Sequence, residues 1–390
     1  MSKDVIPHKD KGINQRKLTM QIKDRMYIDR AVQLDSICEN FIDMVMDLYD
    51  IPGIAVGVYT SSENARIVEG TKSNPYMYTG VGGYSNYETK EPLQQDTVFH
   101  CTSVSKLFTA MGIMKLAEQG KMTLSDRLCD IVPWVSIADK RWESITIESM
   151  LTHTSGLTDV NDYGWEEHST DENALREYAL SDEVAGRKLL WEPGDGFRYS
   201  SMAYDLLGLV ITEVSGMTFE DFMKREIFDP LGMDDTTFLS ESDLTNLAMP
   251  HSKGRDRVIR LETTYPYTRQ HAPSSTLKST AADLLKWAES LLNPAGFSDM
   301  WIPRKEVPDT GEQMGLGWFI RKQDVSTGTQ EEGEHEKSRY TLVGHEGSDN
   351  GFRTSFWMCP DLGIATVLLC NLTDAPLKKL NKKLFSMIMK

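Results

Sequence analysis

The sequence predicts an α+β protein in which one antiparallel sheet is flanked by helices and an all-helical domain is inserted. Apolar runs of strand type occur near both ends of the 390-residue chain, with examples at 54–59, 77–82 and 364–371. The middle of the chain, from 103 to about 250, instead combines helical periodicity with irregular loops. Strands separated in this way predict a sheet that is assembled from both ends of the chain.

The N-terminal part is predicted to contain a tail, a helix and a strand meander. Residues 1–29 are polar and mixed in charge, which favours a loose N-terminal tail. Residues 30–49 place apolar side chains on one helical face, and Pro52-Gly53 ends that helix. Strands of the meander are predicted at 54–59, 66–69 and 77–82. Residues 30–102 thus supply the first part of an α/β domain.

Residues 103–250 are predicted to form the inserted helical domain. Gly120 and Gly216 each follow an apolar helical stretch, as glycine often does at the end of a helix. Thr218 and Asp221 have the spacing of a capped helix start. Helices are predicted at 103–120, 146–151, 173–180, 203–215 and 218–227.

Residues 251–390 are predicted to complete the α/β domain. An amphipathic helix at 279–293 precedes the returning strand pattern, and a helix at 377–389 closes the chain. Strands are predicted here at 315–321, 340–344, 354–359 and 364–371. The α/β domain would therefore consist of 30–102 together with 251–390.

Composition and charge exclude several classes of partner. The chain has 58 acidic and 42 basic residues, a formal net charge of −16. Nucleic acids and anionic membranes both require a basic surface, so neither is expected as a partner. No apolar run approaches the ~20 residues of a membrane helix, and no membrane partner is expected. The composition does not indicate an oligomeric state.

The cysteines and the N-terminus favour a cytoplasmic protein. The five cysteines are odd in number, most lie in apolar stretches, and none has metal-site spacing with another. They are interpreted as reduced thiols of a cytoplasmic protein. The N-terminus lacks the apolar core of a secretory signal, although a longer, exported precursor stays an alternative. No cofactor is implied, and the absence of a His and carboxylate cluster disfavours a metal site.

Ser103 and Lys106 are the first candidates for chemistry. Their three-residue spacing places both side chains on one face of a helix. A serine hydroxyl needs a base to take its proton, and a buried lysine in its neutral form can be that base. Apolar residues at helical spacings follow Lys106, so the stretch is predicted to be buried. Because Ser-x-x-Lys also occurs by chance, an N-terminal cap on a surface helix is the alternative.

Further motifs, in order along the chain, carry a family resemblance. The Ser103-x-x-Lys106 element is followed by Tyr199-Ser200-Ser201 and by residues 345–347, His-Glu-Gly, after a predicted strand. The sequence resembles the serine β-lactamase and penicillin-binding-protein superfamily, in the branch of class C β-lactamases, D-alanyl-D-alanine carboxypeptidases and esterases, whose elements are Ser-x-x-Lys, Tyr-x-Asn and Lys/His-Thr-Gly. The connecting phrases that also match are 151–157 (Leu-Thr-His-Thr-Ser-Gly-Leu), Pro193-Gly194 and 230–233 (Pro-Leu-Gly-Met). The resemblance implies a β-lactamase/transpeptidase-like fold.

The resemblance also implies roles for individual residues. Ser103 would be the acylated nucleophile, Lys106 would take or orient its proton, and Tyr199 would act as second base or as acid toward the leaving group. The oxyanion hole would consist of the backbone N–H groups of Ser103 and Ser348. Which of Lys106 and Tyr199 is the main base stays open.

Four further residues would line the substrate site, and two of them depart from the family pattern. His345 would be a polar or cationic group, and a side chain at Gly347 would block the substrate. Ser201 stands where the family has asparagine, and Glu346 stands where it has threonine or serine. A Glu346 carboxylate compensated only by His345 would repel a substrate carboxylate, which predicts slow β-lactam hydrolysis and better activity on neutral or amine-bearing substrates.

The resemblance implies a serine hydrolase that forms an acyl-enzyme on a small ester, amide or β-lactam substrate. β-Lactamase, D-amino acid amidase or peptidase, and esterase activities stay open at this point, because fold does not settle substrate. The alternative is a noncatalytic descendant of the same fold that binds a ligand or senses penicillin without turnover.

Overall fold

The computed structural model describes residues 15–61, 75–293, 297–327 and 336–389. The helices are α1 Gln15–Leu48, α2 Ser105–Glu118, α3 Leu128–Ile131, α4 Ile147–Leu151, α5 Ala174–Ala179, α6 Asp182–Ala185, α7 Ser201–Ser215, α8 Phe219–Met223, α9 Asp229–Leu231, α10 Ala272–Ser275, α11 Ala281–Leu292 and α12 Leu377–Ile388. The strands are β1 Gly53–Thr60, β2 Tyr76–Asn86, β3 Glu91–Pro92, β4 Phe99–His100, β5 His251–Lys253, β6 Ile259–Leu261, β7 Lys278–Ser279, β8 Lys305–Glu306, β9 Gln313–Met314, β10 Phe319–Thr327, β11 Glu336–Asp349, β12 Phe352–Cys359 and β13 Ile364–Cys370.

Strands from both ends of the chain form one antiparallel sheet. Within the described ranges nine strands pair in the order β3-β2-β1-β13-β12-β11-β10-β9-β8. The two ends of the chain meet where β1 pairs with β13, with Ile54 opposite Cys370 and Thr60 opposite Ile364. The α+β class with an antiparallel sheet is therefore confirmed. The strand predicted at 66–69 lies outside the described residues.

The two faces of the sheet pack against different helices. Successive side chains of a strand point to opposite faces, so each strand contributes to both contacts. On β1, Ile54, Val56 and Val58 belong to an apolar cluster that also contains residues of α1 and α12. Ala55 and Tyr59 face the other way, into the larger cluster that contains α2, α7 and α11. Every residue of β1 is buried because both faces of the strand are covered by helices.

The larger apolar cluster is continuous between the predicted helical domain and the sheet domain. Phe108 of α2 stacks on Trp287 of α11 with ring centroids 3.9 Å apart, and Trp287 stacks on Phe356 of β12 at 5.2 Å. These rings join the start of the inserted segment to the sheet. The domain boundaries at 102/103 and 250/251 stay predictions.

Helix α1 is longer than the sequence predicted. It begins at Gln15 rather than near residue 30, so the prediction of a loose segment is wrong for 15–29. This stretch has no Pro or Gly and is rich in Lys, Arg, Gln and Met, which all favour helix without requiring burial. Residues 1–14 lie outside the described residues.

Strand β11 also extends further than predicted, and this difference affects the candidate site. The sequence placed residues 345–347 after a strand ending at 344, whereas the strand continues to Asp349. The reason is tertiary, because residues 343–349 pair in register with 352–358 of β12. Residues 345–347 are therefore held on a strand in the middle of the sheet.

Candidate active site

Ser103 and Lys106 lie together at the start of α2. Ser103 is part of a 3-10 turn, Thr102–Val104, that leads directly into the helix. Lys106 Nζ lies 3.3 Å from Ser103 Oγ. The lysine is fully buried, whereas the serine is partly exposed. The three-residue spacing thus brings an accessible hydroxyl and a buried amine within hydrogen-bonding distance.

The position of the lysine amine is fixed by a second contact that the sequence did not indicate. Lys106 Nζ donates a hydrogen bond of 2.8 Å to the backbone carbonyl of Ser274 in α10. The same nitrogen lies 4.9 Å from the centroid of the Tyr199 ring. A backbone carbonyl on a packed helix directs the amine toward Ser103, so the pair is preorganised before a substrate binds.

The neighbouring serine is not equivalent to Ser103. Ser105 is buried, and its Oγ donates to the carbonyl of Thr102 at 2.6 Å and accepts from the N–H of Leu277 at 2.9 Å. Thr102 itself has a φ of +52°, which is unfavourable for a β-branched residue. Such backbone strain is typical of functional sites, and here it immediately precedes the exposed hydroxyl.

Tyr199 is oriented by the residues around the start of α7. Ser200 caps this helix through its Oγ, which accepts from the N–H of Ala203 at 3.1 Å. The N–H of Ser200 donates to His153 Nδ1 at 3.2 Å, and the His153 ring stacks on Tyr199 with centroids 4.5 Å apart. Burial, and then the nearby Lys106, hold the pKa of His153 well below its usual value, so this ring is neutral. His153 therefore supports Tyr199 structurally.

Ser201 forms hydrogen bonds with two residues of a neighbouring loop. Its Oγ accepts a 2.6 Å hydrogen bond from the hydroxyl of Tyr163, and its backbone N–H donates to Asp159 Oδ1 at 2.7 Å. Both partners come from the loop after residue 157, which the sequence analysis passed over. Tyr163 thus extends from the loop toward the position where the family pattern has an asparagine side chain.

Strand β11 approaches the turn Thr102–Val104, which carries Ser103, closely at Gly347. A Cβ at this position would lie 1.6 Å from Thr102 Oγ1 and 3.1 Å from the carbonyl oxygen of Cys101. A side chain here would therefore require Thr102 to rotate or the strand to move away from the turn that carries Ser103. Glycine is required here by the close approach of two backbone segments.

His345 is neutral in the folded protein. The side chain is only 2% exposed, and its Nδ1 lies 2.5 Å from the carbonyl of Glu346. Burial, and then the nearby Lys106, lower the pKa of His345 to about 3. The sequence left open whether His345 is a polar or a cationic group. Its lowered pKa makes it a neutral, polar group.

The environment of Glu346 differs from the one assumed in the sequence analysis. Its Oε1 accepts a 2.6 Å hydrogen bond from Trp357 Nε1 and lies 3.6 Å from Arg321 Nη1. The Arg321 guanidinium, 4% exposed, stacks over the Trp357 ring at 3.6 Å. The assumption that only His345 compensates the Glu346 carboxylate is therefore wrong, because a buried arginine from the neighbouring strand β10 already faces that carboxylate.

The candidate residues meet at a cavity of about 390 Å³. Six of them line it: Ser103, Tyr199, His345, Glu346, Gly347 and Ser348. Lys106 and Ser201 lie behind this surface, in contact with Ser103 and Tyr163 respectively. The volume suits a small molecule or the reacting end of a peptide.

Sequence reasoning missed several residues of this cavity, including Asp159, Tyr163 and Arg353. Asp159 and Tyr163 follow the phrase at 151–157, so the loop after that phrase was the available signal. Arg353 carries no such signal, because it reaches the cavity through the pairing of β12 with β11.

The described residues contain neither a cluster of metal ligands nor a helix that could span a membrane. In the ranges that the structure describes, no three His, Cys, Asp or Glu side chains gather closely enough to hold a metal ion. In the same ranges, every helix is too short or too polar for a membrane-spanning segment.

Comparison with known proteins identifies the family of the chain. The family model described as Beta-lactamase matches residues 39–384, which is most of the chain. The chain belongs to the beta-lactamase family. The resemblance read from the three motifs is thereby confirmed at the level of the family.

Individual relatives of this beta-lactamase family member are distant. Penicillin-binding protein 4* of Bacillus subtilis (strain 168) is 28% identical over 302 residues, which cover 71% of this chain and 61% of the relative. The chain thus spans less than two thirds of that relative's length.

Two solved structures share the fold of this beta-lactamase family member. The octameric penicillin-binding protein homologue from Pyrococcus abyssi has a TM-score of 0.72 at 23% identity, over 90% of this chain and 76% of that one. The D-stereospecific amidohydrolase from Streptomyces sp. has a TM-score of 0.69 at 19% identity, over 90% and 98%. The β-lactamase/transpeptidase-like fold is therefore confirmed.

Proposed function

We propose that this beta-lactamase family member is a serine hydrolase that forms an acyl-enzyme on ester or amide substrates, β-lactams included. The observation that carries the proposal is the pair formed by Oγ of the partly exposed Ser103 and Nζ of the buried Lys106, 3.3 Å apart at the edge of a substrate-sized cavity. A hydroxyl beside an amine that is fixed by a backbone carbonyl is an arrangement suited to nucleophilic catalysis.

In the acylation step, Ser103 Oγ attacks the carbonyl carbon of the substrate while the Lys106 amine takes the hydroxyl proton. The tetrahedral intermediate carries its negative charge on the former carbonyl oxygen, which the backbone N–H groups of Ser103 and Ser348 would bind as donors. Both residues line the cavity, which supports this assignment. Collapse of the intermediate breaks the bond to the leaving group.

Tyr199 is suited to serve the leaving group and the deacylating water. Its ring lies between Lys106, 4.9 Å from the amine, and His345, with ring centroids 6.0 Å apart. From there the phenol would donate a proton to the leaving amine or alkoxide. In deacylation, the resulting phenolate would activate water, or Lys106 would do so after passing the proton it took from Ser103 to that phenolate.

The test is covalent labelling with a fluorophosphonate, read by mass spectrometry of the intact protein and its peptides. One label on Ser103 is expected, and Ser103→Ala should lose both the label and the turnover of p-nitrophenyl butyrate. Ser105→Ala, which removes the neighbouring engaged hydroxyl, is the matched control and should still be labelled. A label on Ser105 or Ser201 would contradict the assignment. Labelling without turnover of esters, amides or nitrocefin would instead favour a noncatalytic, ligand-binding protein.

A further inference from the structure

Three carboxylates line the candidate cavity, and they are neutralised to different degrees. Glu312 forms a 2.8 Å ion pair with Lys378, and Glu346 faces Arg321 and Trp357. Asp159 is the third carboxylate. Among the described residues, no Lys, Arg or His forms an ion pair with Asp159. Arg353 also lines the cavity and lies 4.0 Å from Asp374, so Asp159 is the one lining carboxylate that makes no ion pair with a described protein cation.

The Asp159 carboxylate is nevertheless held in place. Its Oδ1 accepts from the backbone N–H of Ser201 at 2.7 Å and from the N–H of Val160 at 2.9 Å. In the part of the chain that the structure describes, Oδ2 has no hydrogen-bond partner. Two backbone donors thus orient the carboxylate beside the start of α7, while its second oxygen keeps its acceptor capacity.

The ring of Tyr163 adds a second group that attracts cations. Tyr163 lines the same cavity and stacks on Trp165 with centroids 4.7 Å apart, which fixes the ring. Burial, and then the nearby Asp159 carboxylate, raise the pKa of Tyr163 well above its usual value, so its hydroxyl stays neutral. An aromatic ring next to a carboxylate is a common arrangement for binding an ammonium group.

We propose, on the basis of the hydrolase function above, that the substrate of this site carries a protonated amine in its acyl part, which Asp159 binds and the Tyr163 ring contacts. The substrate class is then an amino-acyl ester or amide with a free amino group. Asp159 and Ser201 share a hydrogen bond, and Ser201 is two residues from Tyr199. The ammonium would therefore lie on the α7 side of the cavity, across from β11.

The test compares substrates that differ only in the amine. Alanine p-nitroanilide and N-acetylalanine p-nitroanilide, each as D and L isomers, are assayed at pH 7. We expect kcat/KM to favour the free amine at least tenfold for one isomer in the wild type. Asp159→Asn keeps an acceptor for both backbone donors and removes the charge, so this preference should fall at least tenfold. Glu312→Gln, the matched control, removes one carboxylate charge from the same cavity and should retain the preference.

A binding measurement keeps the proposal testable when p-nitroanilides react slowly. With Ser103→Ala, calorimetry should find at least tenfold tighter binding of alanine amide than of N-acetylalanine amide. The proposal is overturned if the wild type does not distinguish the free amine from the acetylated amine. It is also overturned if Asp159→Asn retains the preference for the free amine, or if Glu312→Gln loses that preference to the same extent as Asp159→Asn. Because a fluorophosphonate has no amine, labelling of Ser103 reports on the hydrolase function independently.

Discussion

Replacement of Gly347 by alanine tests whether the close approach of β11 to the turn that carries Ser103 is required for activity. The new Cβ would lie 1.6 Å from Thr102 Oγ1, although real Cβ contacts are not shorter than 3.0 Å. Strand and turn must therefore separate by about 1.4 Å, unless Thr102 rotates. Rotation alone leaves tight contacts at 3.0 and 3.1 Å with Thr102 Cβ and the Cys101 carbonyl.

The magnitude follows from this displacement. A misplacement of about 1 Å at a catalytic group costs roughly a hundredfold in rate. We therefore expect Gly347→Ala to lower kcat/KM at least about 100-fold, measured on p-nitrophenyl butyrate. Overpacking of this kind costs about 1–3 kcal/mol of the free energy of unfolding, measured by urea denaturation. The loss of activity should thus be larger than the loss of stability alone would produce.

Two variants control this experiment. Gly57→Ala adds a Cβ that would lie 3.1 Å from Leu285. This position is on the face of β1 that points away from α1, so the substitution should lower stability but not kcat/KM. Thr102→Ala removes an Oγ1 that has no hydrogen-bond partner among the described residues, so it should restore part of the activity when combined with Gly347→Ala. Activity of Gly347→Ala within threefold of the wild type, or an equal loss in Gly57→Ala, would refute the reasoning.

Two further predictions concern β11. Glu346→Gln keeps an acceptor for Trp357 but leaves the buried Arg321 without its carboxylate, so the free energy of unfolding should fall by about 3–5 kcal/mol in urea denaturation. The same change at Glu312, whose partner Lys378 is 50% exposed, should cost less than about 1 kcal/mol, and equal costs would contradict the assigned pairing. For His345, the folded pKa of about 3 lies below the ordinary 6.5, so the unfolded chain binds more protons between these values. Stability should therefore decrease by up to about 1.4 kcal/mol per pH unit as the pH falls from 6.5 toward 3. His345→Gln should make this slope shallower by that amount, and an unchanged slope would show that His345 is not buried in its neutral form.

The residues of the candidate site differ in how far the sequence could predict them. Ser103 and Lys106 are three residues apart on one helix, so local geometry alone places them together. Tyr199 and residues 345–347 required the family resemblance, because they are distant in sequence. The pairing of Glu346 with Arg321 was not predictable at all, since it depends on the register of β10 and β11, in which Arg321 pairs with Leu342.

The sequence by itself determined the fold class, the family and the proximity of Ser103 and Lys106. These depend on periodicity, short motifs and their order, all of which are local or linear properties of the chain. The tertiary structure decided the electrostatics of the cavity. It makes His345 neutral by burial, directs Arg321 toward Glu346, and brings Asp159 and Tyr163 beside Ser201. Burial and ion pairing arise only when distant segments pack, and for that reason the charge that a substrate meets was decided by the folded chain.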